Sequence, residues 1–156
     1  MKKITKLLVV SAILTMLFAV PVMAREVSFS STNTDYLITL LEGNNAKLDA
    51  GLAEFVKAQC GPNKDVIIAN QTALVESAKA KVNKECAENH IDYLTKKYNL
   101  AVKYEGLRKA QLDWFTSLPW LGKTAVAQAE YDAAVAITAA DCAALESAKV
   151  KLAPYL

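Results

Sequence analysis

The fold is decided by the stretch NKDVIIANQTALVESAKAKVNKECAENHIDYLTKKYNLAVKYEGLRKAQLDWFTS, which covers residues 63–117. It contains no proline and a single glycine, Gly106. Its apolar side chains recur at intervals of three and four, which is the spacing of one face of an α-helix. They are Ile68, Val75, Ala78, Val82, Leu94, Tyr98, Ala101, Tyr104, Leu107 and Trp114. We therefore predict a long central helix over about 64–117.

A first, shorter helix is predicted over about 33–59. It is expected to begin with a capping box formed by Thr32 and Asp35, which can satisfy the free N–H groups of the first turn. Gly61 and Pro62 end it, because glycine suits the left-handed position after a helix and proline cannot continue one. The buried stripe of this helix is predicted to consist of Ile38, Leu41, Leu48, Leu52 and Phe55.

A third helix is predicted over about 123–152, with Thr124 as its N-terminal cap. The turn before it contains Pro119 and Gly122, and Pro154 follows its predicted end. This segment is rich in alanine, the residue with the highest helix propensity. The fold class is therefore all-α: antiparallel helical hairpins or a bundle around the long central helix, forming a single all-helical domain over 33–156.

The periodicity of the central helix changes between Val82 and Tyr98, where apolar or semi-polar residues recur every four positions. Each four-residue step advances the stripe by about 40° around the helix. Two arrangements explain this change. In the first, the central helix is continuous, and it packs against the first helix along its first half and against the third helix along its second half. In the alternative, the chain breaks near Asn89 and forms a four-helix up-down bundle. A turn there would lack the usual glycine or proline, which favours the continuous helix.

The first 24 residues are typical of a secretory signal peptide. Lys2, Lys3 and Lys6 precede an apolar run over 7–20, and Ala24 ends a short segment that suits a cleavage site. We expect cleavage after Ala24, an extended lead-in over 25–32, and a mature protein in the periplasm or cell envelope or outside the cell. The apolar run is shorter than the ~20 residues of a membrane-spanning helix.

Charge gives no support for nucleic-acid binding. The chain has 18 Lys and Arg residues against 16 Asp and Glu. Three of the lysines lie in the predicted signal peptide, so the mature chain would carry 15 basic and 16 acidic residues, a net charge of −1. A nucleic-acid-binding protein is expected to show a basic face, and we predict none here.

The weak candidates for a metal site are Cys86 and His90, which lie four residues apart on one helix face. Both are zinc ligands in proteins, but a structural zinc site needs four ligands. The alternative interpretation is a semi-buried thiol beside a histidine in a helix interface. The carboxylates Glu85, Glu88 and Asp92 also share a face, although lysines at four-residue spacing indicate surface ion pairs. We predict no cofactor and no catalytic residues, since haem, di-iron and phosphate-binding motifs are missing from the sequence.

Aromatic residues gather near the second predicted turn: Trp114, Phe115 and Trp120, with Lys123 close by. Exposed tryptophans can anchor a protein partner or lie at a membrane interface. The alternative interpretation is that these rings plug the end of the helical bundle.

Three cysteines, Cys60, Cys86 and Cys142, follow the signal peptide, so disulfides are chemically allowed. An odd number leaves at least one thiol free or paired between molecules. If the central helix is continuous, Cys142 lies beside residue ~98, and no two cysteines are close enough for an intramolecular bridge. We predict three free or intermolecularly paired thiols.

These observations predict a small exported helical protein that is not an enzyme and acts by binding or assembly. Self-association or a protein partner is expected, because long Ala- and Leu-rich helices need more helical surface than one hairpin offers. A second hypothesis is a membrane-surface or envelope-associated protein that uses the Trp114 and Trp120 tip. A third is a metal-binding helical protein.

Overall fold

The computed structural model describes residues 33–156, and three long helices make up most of this range. Helix α1 is Thr34–Ala58, α2 is Lys64–Ser117 and α3 is Thr124–Leu152. Short 3₁₀ turns lie at Pro119–Leu121 and Ala153–Tyr155. The described residues contain no strand, so the all-α prediction is confirmed. The predicted signal peptide and lead-in lie outside the described residues.

Helix α2 is continuous through Asn89, so the alternative fold with a break at that position is wrong. The physical reason is local: between Asn63 and Ser117 no proline removes a backbone donor, and the single glycine adopts helical geometry. A helix is interrupted where its hydrogen-bond ladder is blocked, and nothing in this stretch blocks it.

The described chain divides into two compact units, and the division falls inside α2 between His90 and Ile91. Unit 1 contains α1, the first half of α2 and residues 154–156, whereas unit 2 contains the second half of α2 and α3. The prediction that α2 packs against a different helix along each half agrees with this division. That the range 33–156 forms a single domain stays a prediction.

In unit 1, α1 buries one stripe of large apolar residues against the first half of α2. The stripe begins at Leu37, one position before the predicted Ile38, which is only half-buried. The side chain of Lys79 on α2 joins the two helices, because its Nζ lies 2.8 Å from Asp49 on α1 and 2.9 Å from Glu76. The buried apolar side chains of this unit are Leu37, Leu41, Leu48, Phe55, Val75, Cys86 and Ala87.

The N-terminal cap of α1 is Asn33, not the predicted Thr32, which lies outside the described residues. The Asn33 side chain accepts hydrogen bonds from the backbone N–H groups of Asp35 and Tyr36, at 3.0 and 3.2 Å. Asparagine is among the most favourable capping residues because its side-chain oxygen reaches these free donors. Asp35 lies in the first turn, where its charge favours the positive end of the helix dipole.

In unit 2, two ion pairs set how α2 and α3 align. Lys97 Nζ lies 2.6 Å from Asp141, and Arg108 Nη1 lies 2.8 Å from Glu130. From the first pair to the second, α2 advances by eleven residues and α3 goes back by eleven. The antiparallel register is therefore constant along the hairpin. It places Cys142 level with Lys96, close to the predicted residue 98.

The interior of unit 2 is formed by small side chains. Its buried apolar residues are Leu94, Ala101, Ala127, Ala134, Leu145, Ala148 and Leu152. Tyr104 and Leu107 were predicted to continue this stripe, and that prediction is wrong because both are exposed. Trp114, which the sequence also singled out as a candidate contact residue, is exposed as well. The inward line continues instead through Glu105, Arg108, Leu112 and Phe115, which are half-buried.

The connection between α2 and α3 is held by hydrogen bonds to the last turn of α2. Thr124 is the first residue of α3 and not its cap, since the cap position is Lys123. The Thr124 hydroxyl donates to the Phe115 carbonyl at 3.2 Å, which ties the two helix ends together. Gly122 closes the 3₁₀ turn with a φ of 66°, a left-handed conformation that glycine adopts without steric cost.

We predict that Gly43→Ala and Gly106→Ala each raise the free energy of unfolding by ~0.5–1 kcal/mol. Both glycines lie inside helices, and a Cβ atom at either position would meet no atom within 4 Å. Equilibrium unfolding in urea, followed by circular dichroism, measures the change. The matched control is Gly122→Ala, which should lower stability because its φ is left-handed. A loss of stability in both helical variants would contradict the uninterrupted α1 and α2.

Candidate functional site

The tip of unit 2 carries the aromatic residues that the sequence singled out. The Trp114 and Phe115 rings are in contact, with centroids 4.7 Å apart, and Lys123 Nζ lies 5.8 Å from the Phe115 centroid. Trp120 takes part in neither contact. Trp114 is 55% exposed and Trp120 is 75% exposed, whereas Phe115 is half-buried. The interpretation of the tryptophans as a plug is therefore wrong, and only Phe115 contributes to closing the hairpin.

An exposed stripe of apolar residues runs along α2 beside the buried stripe. Leu100, Leu107 and Trp114 repeat every seven residues, and Tyr104 lies four positions after Leu100. Leu100 is 66% exposed, Leu107 is 70% exposed and Tyr104 is 41% exposed. A seven-residue repeat of apolar side chains on an exposed helix face is the pattern by which helices bind other helices.

Helix α3 carries a matching exposed stripe of smaller residues. Val126 and Ile137 are exposed and lie eleven positions apart, which is about three helical turns. Apart from Glu130, most of the other residues on this side are alanines. Together the two stripes define what we call the apolar face: Leu100, Tyr104, Leu107, Trp114, Val126, Ala133, Ile137, Ala140 and Ala144.

Contacts of Arg108 show that both stripes lie on the same side of unit 2. Its Nε donates to the Tyr104 hydroxyl at 2.8 Å, and its Nη1 reaches both Gln111 at 2.7 Å and Glu130 at 2.8 Å. Glu130 lies four residues after Val126 and seven before Ile137, so all three share one side of α3. The apolar face therefore extends across the two helices, with the Arg108–Glu130 pair between the stripes.

The other side of unit 2 carries surface ion pairs together with two exposed valines, Val102 and Val135. Lys109 lies 3.6 Å from Asp113 on α2, and Lys149 lies 2.7 Å from Glu146 on α3. These residues lie roughly 120–180° around their helices from Leu107 and Ile137, because each residue advances the helix by about 100°. Most of the larger exposed apolar side chains of unit 2 thus lie on the apolar face.

The periodicity of the sequence does not reveal the apolar face, because Tyr104 and Leu107 continue the same helical spacing as the buried Leu94 and Ala101. A signal for it is present in the sequence. After Ala101, two stripes at helical spacing are available, one through Tyr104 and Leu107 and one through Arg108 and Leu112. Only the contact between Arg108 and Glu130, far apart in the chain, shows which stripe faces α3.

The candidate metal ligands Cys86 and His90 lie together in the interior of unit 1. Cys86 is 2% exposed and His90 is 1% exposed. The His90 Nε2 atom is 3.1 Å from the hydroxyl oxygen of Thr34, at the beginning of α1. His90 therefore links α1 to α2 by a hydrogen bond, which agrees with the interpretation of this pair as part of a helix interface.

Burial makes the Cys86 thiol a poor metal ligand. It raises the pKa of the Cys86 thiol to about 11, with a smaller contribution from the negative charge of Glu85. It also lowers the pKa of His90. Metal binding and nucleophilic attack by cysteine both need the thiolate, and at neutral pH this thiol is protonated. Within 33–156, no group of three or more Cys, His, Asp or Glu side chains is arranged to hold a metal ion.

The carboxylates near this pair behave as ordinary surface groups. Lys84 lies 3.7 Å from Glu88, and Lys96 lies 2.5 Å from Asp92. All four side chains are exposed, and both pairs have the four-residue spacing that the sequence indicated. Exposed pairs of this kind contribute ~0–1 kcal/mol to the stability of a protein. These pairs are therefore ordinary surface ion pairs of α2.

The cysteines differ in exposure. Cys86 and Cys142 are free thiols, the first buried and the second half-buried. Cys60 is exposed, next to the turn that ends α1. The proposed state of all three, free or paired between molecules, stays a prediction.

Acidification should destabilise the protein through His90. Because burial lowers the pKa of His90 in the folded state, the unfolded chain takes up a proton first, at its ordinary pKa of about 6.5. The stabilisation by neutral His90 is therefore complete above pH ~6.5 and is lost as the pH falls below it, by at most ~1.4 kcal/mol per pH unit.

Thermal unfolding measured between pH 7.5 and 5 tests this. The matched control is His90→Gln, which keeps a hydrogen-bonding group near Thr34 but does not titrate in this range. We expect the melting temperature of the parent to fall with acid more steeply than that of the variant. Equal slopes would assign the pH dependence to other groups.

None of the helices between Asn33 and Leu156 has an apolar stretch long enough to span a bilayer. Comparison with known proteins adds no relative: no protein-family model matches the chain, and neither a curated protein nor a solved structure gives a significant match.

Proposed function

We propose that this is an exported, non-catalytic helical protein that acts by binding or assembly through the apolar face of unit 2. The observation that carries the proposal is the exposure of Leu100, Leu107 and Trp114 on one face that also includes Val126 and Ile137. Large contiguous apolar patches on soluble domains usually mark interaction sites.

The size of the apolar face supports an interaction. Large side chains have roughly 150–250 Å² of surface each, and the 41–70% exposure of the six large residues then gives on the order of 600 Å² for their share of the face. The largest apolar patch of an ordinary monomer is ~300–600 Å². Each partner in a standard protein interface contributes about 800 Å². The face is therefore at the upper limit of an ordinary surface patch and approaches the size that one partner contributes to a standard interface.

The chemistry inside unit 1 supports a non-catalytic role. His90 is the single histidine of the sequence. Its ring is buried and bonded to Thr34, out of reach of a substrate in solution. General acid–base catalysis needs a titratable group within hydrogen-bonding distance of the substrate, and the packing of α1 on α2 prevents this for His90.

Site-specific photo-crosslinking tests the proposal in cells that produce the full chain. A benzophenone amino acid replaces Leu107 in one variant and Val150 in the control, since both positions are highly exposed and Val150 lies off the apolar face. We expect protein adducts of higher mass at position 107 and few at position 150. Equal adduct formation at the two positions would contradict binding through this face.

A second candidate function is attachment to a membrane surface through the tip of unit 2. The 75% exposure of Trp120 favours it, together with the neighbouring Trp114 and the cation Lys123. Tryptophan and lysine are favoured at the boundary between lipid headgroups and acyl chains.

Co-sedimentation with vesicles of phosphatidylethanolamine and phosphatidylglycerol separates the two functions. If the membrane hypothesis holds, the parent sediments with vesicles, Trp120→Ala remains in the supernatant, and Tyr36→Ala, which removes an exposed aromatic ring from unit 1, behaves as the parent. Under the proposal that we favour, the parent does not sediment with vesicles.

A further inference from the structure

We infer that the partner of the apolar face is a second copy of this chain, so that two unit 2 hairpins pack face to face as a four-helix bundle. This inference rests on the proposed function and names its partner. Four observations lead to it: the spacing of the α2 stripe, the small residues of α3, the polar groups within the face and the small interior of the hairpin.

The α2 stripe has the spacing of a helix-to-helix seam. Leu100, Leu107 and Trp114 occupy equivalent positions of a heptad, and Tyr104 and Gln111 each follow four residues later. Apolar residues at such alternating positions pack as knobs into holes of a facing helix. A facing helix fits this repeat better than an irregular surface does.

The stripe is also nearly symmetric about Leu107. Leu100 and Trp114 each lie seven residues from it, in opposite directions along α2. A twofold axis through Leu107 makes the two α2 helices antiparallel and places Leu100 of each copy level with Trp114 of the other. A twofold interface uses the same patch on both molecules, and this stripe is complementary to itself in that arrangement.

Helix α3 allows the two hairpins to approach closely. Its part of the face consists of Ala133, Ala140 and Ala144 with only Val126 and Ile137 as larger residues, and all five are exposed. Small side chains reduce the distance between packed helices. With the twofold axis through Leu107, α3 of each copy faces α3 of the other, so these small residues pack against one another.

Polar groups within the face favour a protein partner over lipid. Arg108 and Glu130 form an ion pair between the stripes, with side chains that are 28% and 39% exposed, and Gln111 lies in the α2 stripe. In an acyl-chain environment their remaining hydrogen-bonding groups would find no partner, at high cost. In a helical interface these groups can bind polar groups of the facing copy, such as Tyr104 opposite Gln111.

The interior of the hairpin explains why a second copy would stabilise it. Three leucines and four alanines form the buried apolar set of unit 2. Alanine buries little surface, and small units with thin cores usually gain stability by association. Face-to-face packing of two hairpins adds a second apolar layer formed by Leu100, Leu107 and Ile137.

Sedimentation velocity of the full chain under reducing conditions, from ~1 to ~100 µM, tests the inference. We expect the parent to sediment as a dimer in the upper part of this range. Leu107→Glu places a charge at the centre of the face and should weaken association at least tenfold. The control Val150→Glu, which adds the same charge at an exposed position off the face, should associate like the parent.

Circular dichroism shows whether Leu107→Glu keeps its helical content. If it does not, Ile137→Glu replaces it, because Ile137 is an exposed residue of the same face on the other helix. Oxidative crosslinking of Leu107→Cys in a Cys60→Ser background provides a second test. We expect a rapid disulfide-linked dimer, and none for Val150→Cys.

The inference is overturned if the parent remains a monomer at ~100 µM or if Leu107→Glu associates as the parent does. The photo-crosslinking at position 107 tests the proposed function separately from the second copy. A monomeric parent that still forms adducts with another protein through position 107 removes the second copy but keeps binding through the face. A monomeric parent without such adducts removes both.

Discussion

The constraint on which the structure depends is that one continuous helix, α2, serves two different helical partners. A straight helix turns once every 3.6 residues, so a line of side chains that faces one partner cannot be redirected without a change in spacing. The four-residue steps through Cys86, His90 and Leu94 supply that change. They fall at the point where the chain divides into its two units, between His90 and Ile91.

Because α2 is divided between two partners, each unit consists of only two helices in contact. Two helices bury one stripe each and leave their flanks in solvent, so the interior stays thin. Unit 1 compensates with large residues such as Leu37, Leu48 and Phe55 and with the hydrogen bond between Thr34 and His90. Unit 2 has alanines at four of its seven buried apolar positions. Both units nevertheless expose large apolar residues: Ile67 and Leu74 are exposed in unit 1, as Leu100 and Leu107 are in unit 2.

The sequence predicts the helices of this protein well and the orientation of their side chains less well. Helix ends depend on local chemistry, such as Asn33, Gly61 and Pro119, and the bounds of α2 follow from the residues that interrupt helices. Which stripe faces inward depends on partners far away in the chain. Tyr104 and Leu107 are more apolar than Arg108, so hydrophobicity alone selects the wrong line. The tryptophans of the tip were open to two interpretations for the same reason, since their exposure is decided by how the turn at Pro119–Leu121 directs the chain.

The ion pairs of unit 2 have a role that goes beyond their modest energy. Helix α3 has alanines around most of its circumference, so apolar packing alone would tolerate several rotations of this helix against α2. Asp141 is 92% buried beside Lys97, and a buried carboxylate without a cation would be costly. Rotations that separate Asp141 from Lys97 are therefore disfavoured, and Arg108 with Glu130 adds the same restriction two turns from the tip. Once these pairs fix the rotation of α3, Val126 and Ile137 must lie on the same side as Leu107. The ion pairs between α2 and α3 therefore determine that the apolar residues of both helices lie on the same side of the hairpin.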